Sequence, residues 1–294
     1  MATRIAWILN LDADVELAAG DRYAPTRAVA EATKKHAARL VGSLVAAEDL
    51  LVDDATPAGA ARGFVGRAFC PTPRALALLA RAGASPEPHP SMAVLRAVNS
   101  RGFAASLGAT MPGSAFVRAL DVALAHLATP PPVGRGWRMK RAFGMAGRGQ
   151  RLAADKPSDA DVTFLAAGIA EGGVEIQPNV AILEEYAIHG VLAASGVTTF
   201  GALVRQKCDA RGAWLATERV VDTAALGDIA ARLADEARRV AAALTMAGYF
   251  GPFGIDAYTY ADAGGAPVLQ PRSEINARYS MGFAVGFGVP SARS

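Results

Sequence analysis

Three oxygen-bearing side chains near the C-terminal end have the types and spacing of a hard-cation site. Asp256 lies in Gly254-Ile-Asp-Ala-Tyr258, and Glu274 and Asn276 lie in Gln270-Pro-Arg-Ser-Glu-Ile-Asn-Ala-Arg278. Both segments read as strands, joined by the turn Asp262-Ala-Gly-Gly-Ala-Pro267. Alternate residues of a strand share a face, so Glu274 and Asn276 point the same way. A turn centred near residue 265 sets Asp256 opposite residue 274. Two carboxylates and an amide oxygen, without His or Cys, suit Mg²⁺, which keeps part of its water and shares substrate phosphates. Arg272 and Arg278 belong to the same strand face, and the planar fork of either suits phosphate oxygens.

A second group is cationic. In Trp137-Arg-Met-Lys140 apolar and basic residues alternate, giving a strand with one cationic face. Gly144, Gly147 and Gly149 follow within a few residues. Glycines allow close backbone approach to a phosphate and direct N–H groups at it. The Gly-Lys-Ser/Thr ending of a P-loop is absent, and no helix opening supports a dinucleotide fingerprint.

A third stretch, from Val174 to Gly190, reads as strand, proline-marked break and strand. Backbone groups freed at Gln177-Pro178 suit the edge of a flat base, and Glu184 or Glu185 suits ribose hydroxyls.

The elements that must carry these groups form two kinds of segment. Strand, helix, strand and helix alternate over about the first 90 residues, at 4–10, 24–50, 61–70 and 71–82, which predicts a small α/β unit. Prolines at 84–90 and again at 129–132 mark boundaries. The remainder is strand-rich. It is interrupted by a short helix over 158–172 and by a longer one over 223–247, where Leu226, Ile229, Leu233, Ala237, Val240 and Leu244 recur at helical spacing before Gly248. The 294 residues are 52% hydrophobic and 19% charged, enough for a sizeable core.

In this order the three groups resemble the ATP-grasp superfamily of carboxylate–amine and peptide ligases. Lys140 to Gly149 is similar to its strand lysine and phosphate-covering loop, and Leu269 to Gly282 to its closing Glu-x-Asn-x-Arg metal motif. Asp256 stands where the family has an earlier metal carboxylate, and Gln177 where it has the adenine hinge. Val98 to Pro112 resembles the entry helix, with Arg101 where a lysine is usual. The resemblance implies an α/β (α+β) ATP-grasp fold. A pre-ATP-grasp domain would occupy 1–92 and the ATP-grasp domain 93–294, with a small lobe at about 130–180 and a large lobe at about 181–285, the two β-rich lobes clamping the nucleotide. It implies Asp256, Glu274 and Asn276 on Mg²⁺ or Mn²⁺. It places Arg101, Lys140, Gly144, Gly147, Gly149, Gln177, Glu184, Glu185 and Lys207 on ATP, Arg205 standing as the alternative to Lys207, and Arg272 and Arg278 at the reacting groups. The implied reaction joins a small-molecule or peptide carboxylate to an amine through an acylphosphate, releasing ADP and phosphate. Homodimers are common in similar proteins.

Competing readings are a small-molecule kinase on the same architecture, a non-catalytic nucleotide-binding regulator and a nucleic-acid binder. A net charge of +3, with basic residues dense only from Arg135 to Arg151, is too narrow a footprint for nucleic acid. Acidic Asp12 and Asp14 arrive too early for a signal peptide, no apolar run spans a membrane, and Cys70 and Cys208 form neither a zinc pattern nor a disulfide framework, so a cytoplasmic protein is expected. His36, His89, His126 and His189 show no metal spacing.

Overall fold

The computed structural model describes residues 3–144, 148–153, 156–208 and 214–288. Its first unit is a parallel sheet in the order β2-β1-β3-β4, formed by β1 (Ile5–Ile8), β2 (Leu50–Leu51), β3 (Val65–Ala68) and β4 (Ser85–Pro86). All four residues of β1 are buried, as a strand covered on both faces requires. Helix α1 (Ala13–Ala19) follows β1, and α2 (Arg27–Ala37) is N-capped by the Thr26 hydroxyl, which accepts from the Val29 N–H at 3.3 Å. Helix α3 (Pro73–Ala82) starts with proline in its first turn and stops at Gly83, whose φ of 84° is left-handed. It buries Ala75, Leu78, Leu79 and Ala82. The proline segment expected as a loop supplies β4, which extends the sheet by two residues.

Two short helices lead out of this unit: α4 (Met92–Val98) and α5 (Arg101–Ser106), capped by the Ser91 and Ser100 hydroxyls. Between them Asn99 is buried. Its amide donates to the Leu95 carbonyl at 2.9 Å and its oxygen accepts the Ala277 N–H at 2.8 Å. This ties the start of α5, and hence Arg101, to the chain just beyond Asn276.

A four-stranded antiparallel sheet comes next, in the order β5-β8-β6-β7: β5 (Ala115–Val117), β6 (Trp137–Arg141), β7 (Gln150–Leu152) and β8 (Val174–Pro178). Helices α6 (Leu120–Leu127) and α7 (Asp159–Ala170) cover one face, packing Ala123, Leu127 and Leu165 on Trp137, Met139, Val174 and Ile176. A reciprocal Ser158–Asp161 capping box opens α7. The lobe expected from about residue 130 therefore reaches back to β5, because Ala115, Phe116 and Val117 pair with β8.

The last sheet has six strands: β9 (Ile182–Leu192), β10 (Thr198–Phe200), β11 (Val204–Cys208), β12 (Trp214–Arg219), β13 (Gly251–Ala261) and β14 (Pro267–Asn276). The path is β12-β11-β9-β13-β14, with β10 beside β9. Helix α8 (Asp228–Met246) begins five residues later than the periodicity predicts, because Gly227 at φ 57° interrupts the backbone. It lays Leu233, Ala237, Val240 and Leu244 against Tyr186, Ile188 and Ile255. A closing helix, α9 (Phe283–Phe287), packs with Tyr279 on the first unit, where Trp7 and Tyr279 meet edge to face with ring centroids 5.2 Å apart. The strand carrying Glu274 and Asn276 thus runs straight into the contact between the two units.

Candidate nucleotide and metal site

The hairpin places Asp256 directly opposite Glu274, and Gly254 opposite Asn276. The Asn276 amide donates to Asp256 Oδ2 at 2.8 Å, and the Gln206 amide, from β11, donates to Asp256 Oδ1 at 2.8 Å. Burial, together with the charge of Glu274, raises the Asp256 pKa to about 6. Of the two facing carboxylates, Glu274 is paired with Arg101, while Asp256 takes only amide hydrogen bonds and the more distant charge of Arg278, which leave its pKa raised. That environment fits a bound divalent cation. Among the described residues, no three His, Cys, Asp or Glu side chains cluster to hold a metal. Two carboxylates and an amide would leave positions for water and phosphate oxygens, the pattern Mg²⁺ favours.

Across from the hairpin stand two cations. Arg101, at the start of α5, donates from Nη2 to Glu274 Oε1 at 2.9 Å, and its Nη1 lies 3.9 Å from Glu175 Oε2. Lys140 is opposite Glu175 in the β6–β8 register and donates to Gln177 Oε1 at 3.1 Å. Burial depresses the Lys140 pKa to about 8, against the pull of Glu175. Trp137 and Met139 are buried on the other face of β6, as the alternation predicts. Gly144 and Gly149 lie close together in the turn after β6: a Cβ on Gly144 would sit 2.7 Å from the Arg148 carbonyl oxygen, and Gly149 has φ 77°. Gly147 falls outside the described residues.

Gln177 is buried, bonded to Lys140 and, at 3.4 Å, to the Tyr258 hydroxyl, so the end of β8 is braced against the large sheet. Glu185 is in register with both Tyr258 and Gln206, on the sheet face that carries Asp256. Arg278 is seated by the first unit. Its guanidinium donates to Asp14 at 2.6 and 3.2 Å and lies over the Phe69 ring at 5.7 Å. Burial opposes its charge, but Asp14 outweighs burial and raises its pKa.

Three expected participants are engaged elsewhere. Arg272 is buried in an ion pair with Glu236 of α8 and also donates to the Gly108 carbonyl. A register shift between Asp256 and Tyr258 leaves three β14 residues against one on β13, which takes the Arg272 side chain out of the Asp256–Glu274–Asn276 row. Lys207 is exposed and pairs with Glu218. It adjoins Gln206 in β11 and so occupies the opposite sheet face. Glu184 pairs with Arg205 at 3.2 Å on that same far face. The basic stretch is also consumed internally: Arg138 bonds Gln150 and Asn179, Arg141 pairs with Glu171, and Arg151 with Asp161.

Sequence reading missed Glu175, Gln206 and Asp14. Glu175 carried a faint signal, since it shares a strand face with Gln177 two residues on. Gln206 and Asp14 carried none, because only sheet pairing and the packing of the first unit bring them in.

No protein-family profile and no curated protein matches the chain. Its fold, however, is shared with solved structures of low identity. A biotin carboxylase from Campylobacter jejuni, described in a β,γ-ATP complex, superposes with TM-score 0.55 at 13% identity, over 98% of this chain and 72% of that one. Pyruvate carboxylase from Rhizobium etli gives 0.54 at 15%, over 97% of this chain and 27% of that one. N5-carboxyaminoimidazole ribonucleotide synthetase from Thermus thermophilus gives 0.50 at 15%, over 94% and 71%. The architecture is the ATP-grasp fold: a parallel α/β unit followed by two antiparallel sheets.

Proposed function

We propose that the chain is an ATP- and Mg²⁺-dependent ligase that joins a carboxylate to an amine. The observation that carries this reading is the row Asp256–Glu274–Asn276, with Arg101 hydrogen-bonded to Glu274 and Lys140 near enough to feel the charge of Glu274. The similar proteins from Campylobacter and Thermus, described as a carboxylase and a synthetase, support it by analogy of fold.

In the first step a substrate carboxylate oxygen bonds to the terminal phosphorus of ATP, the bond to the bridging oxygen breaks, and ADP leaves. In the second the amine nitrogen adds to the acyl carbon, the bond to phosphate breaks, and phosphate and a proton depart. Such chemistry requires positioning and charge neutralisation more than a protein nucleophile. Lys140 and Arg101 would neutralise phosphate oxygens, and the backbone around Gly144 and Gly149 would lie against them. Asp256, Glu274 and Asn276 would hold Mg²⁺, which supplies Lewis acidity to the phosphates when bound. Arg278, oriented by Asp14, would face the transferring group and bring the first unit into the acceptor pocket.

The test is an ADP-release screen with pooled carboxylates and amines, read by product mass. ADP and inorganic phosphate in equal amounts, with a condensed product, are expected. ADP with a stable phosphate ester and no free phosphate would make the protein a kinase. Nucleotide binding without any acceptor-dependent ADP would make it a regulator.

A further inference from the structure

A pocket of about 350 Å³ lies beside the proposed nucleotide site, walled on one side by α5 and β14 and on the other by β5 and β8. Neither Lys140, Gln177, Asp256, Glu274 nor Asn276 lines it; Arg101, gripping Glu274, stands between it and the metal row. Its volume is at the small end of the range for small-molecule sites.

The polar groups on its wall are incompletely used. Gln270 is 3% exposed, and its buried Oε1 has no hydrogen-bond partner among the described residues. The same holds for the buried Ser114 Oγ and for Glu175 Oε2, whose nearest cation is Arg101 at 3.9 Å. All three residues line this one pocket. Buried acceptors left without donors cost about 1–3 kcal/mol each, so their convergence on a cavity calls for a partner that brings donors. Phe116 adds a ring face to the wall, with Arg118 stacked on it at 4.9 Å. The space exists because the facing turn of α5 is built from small residues, Gly102 and Ala105. The Glu175 carboxylate is offset by Lys140 and Arg101 and the Arg272 guanidinium by Glu236, so what the wall lacks at these three acceptors is donors.

We infer that this pocket binds a small, planar molecule whose edge carries N–H donors, such as an amino-substituted heterocycle or aromatic carboxamide, lying against Phe116 with its donors on Gln270, Ser114 and Glu175. The site is separate from the one proposed for the nucleotide. It also bridges elements of both antiparallel sheets, so its occupant would ride on the relative position of the two lobes.

The test uses 2-aminopyrimidine and benzamide as probes, with benzoate, which has no N–H donor, as the control, followed by saturation-transfer NMR and calorimetry on the full chain. The two probes should bind and benzoate should not. Gln270→Leu, which removes the amide, and Ala105→Phe, which fills the space from α5, should each weaken probe binding by about tenfold or more. Both variants should bind Mg²⁺·ADP as the parent chain does, which also shows that they are folded. Absence of probe binding to the parent chain would overturn the inference. So would equal binding to both variants, or full competitive displacement of the probe by ADP, which would put it in the nucleotide cleft. Failure of ADP to bind the parent chain would count against the proposed ligase alone, since probe binding is read independently.

Discussion

Arg278 and Asp14 are 264 positions apart, yet two hydrogen bonds of 2.6 and 3.2 Å lock their side chains together. Through this pair the parallel α/β unit reaches the end of β14, the strand proposed to hold the metal. Both side chains are largely buried, so removing one charge strands the other. Asp14→Asn is expected to cost about 3 kcal/mol of unfolding free energy, in line with broken buried pairs. It should also lower acceptor-dependent ADP release, because Arg278 loses its orientation. Denaturant melts alongside the ADP assay check this; an Asp14→Asn protein of parental stability and turnover would remove the pair from the argument.

The metal row yields a prediction with a defined sign. Burial and Glu274 raise the Asp256 pKa to about 6 from its ordinary 3.8. A raised carboxylate pKa favours the folded state most below the unfolded value and loses that contribution as pH climbs through the folded one. Above about pH 6, then, the folded protein carries an ionised, ill-compensated Asp256, and Mg²⁺ relieves it. Added Mg²⁺ should raise the melting temperature at pH 7.5 and do little at pH 5. Asp256→Asn should abolish the difference between the two pH values, and a Mg²⁺ response independent of pH would contradict the assignment. Glu274→Ala should eliminate ADP formation while leaving the fold intact, and full turnover in that variant would refute the metal role.

Only part of this row is legible in the sequence. The expected register rested on a turn centred at residue 265, but the tip of the hairpin pairs Ala261 with Pro267, a centre one residue earlier. Continued without interruption, that pairing would set Asp256 opposite Arg272. The bulge in β14 absorbs two residues and restores Glu274 to the facing position. Alternation of polar and apolar residues survives a two-residue slip, so the shared face was legible and the bulge was not. The same limit explains β5, whose three residues are too short to show a period, and Gln206, which reaches Asp256 only through sheet pairing. Lys140 was legible because Trp137 and Met139 mark the buried face of its own strand.

Arg272 provides a contrast with Arg278 on one strand. Its guanidinium is committed to Glu236 and the Gly108 carbonyl, so it anchors β14 to α8 and to the segment after α5. Arg272→Met leaves Glu236 buried with only the half-exposed Arg239 beside it. A loss of about 3 kcal/mol in stability is expected, with turnover per folded molecule little changed. A stable Arg272→Met protein without activity would instead return Arg272 to the reacting groups.

Lys140 makes nucleotide affinity depend on pH in the opposite direction to the metal. Burial lowers its pKa to about 8 from 10.5, so the neutral amine is favoured in the folded protein between those values. With the pKa depressed, the folded state is penalised below about pH 8 and gains stability as pH rises from there toward 10.5. Phosphate oxygens need the ammonium form, so binding of ADP in the absence of added metal should weaken as pH is raised from 7 to 9, while the unliganded protein becomes harder to unfold over the same range. Lys140→Met should flatten both trends: its ADP affinity should be low and independent of pH, and the rise in stability should disappear. Affinity in the parent chain that holds constant to pH 9.5 would mean that the ammonium of Lys140 does not meet the phosphates, and the cationic side of the cleft would then rest on Arg101 alone.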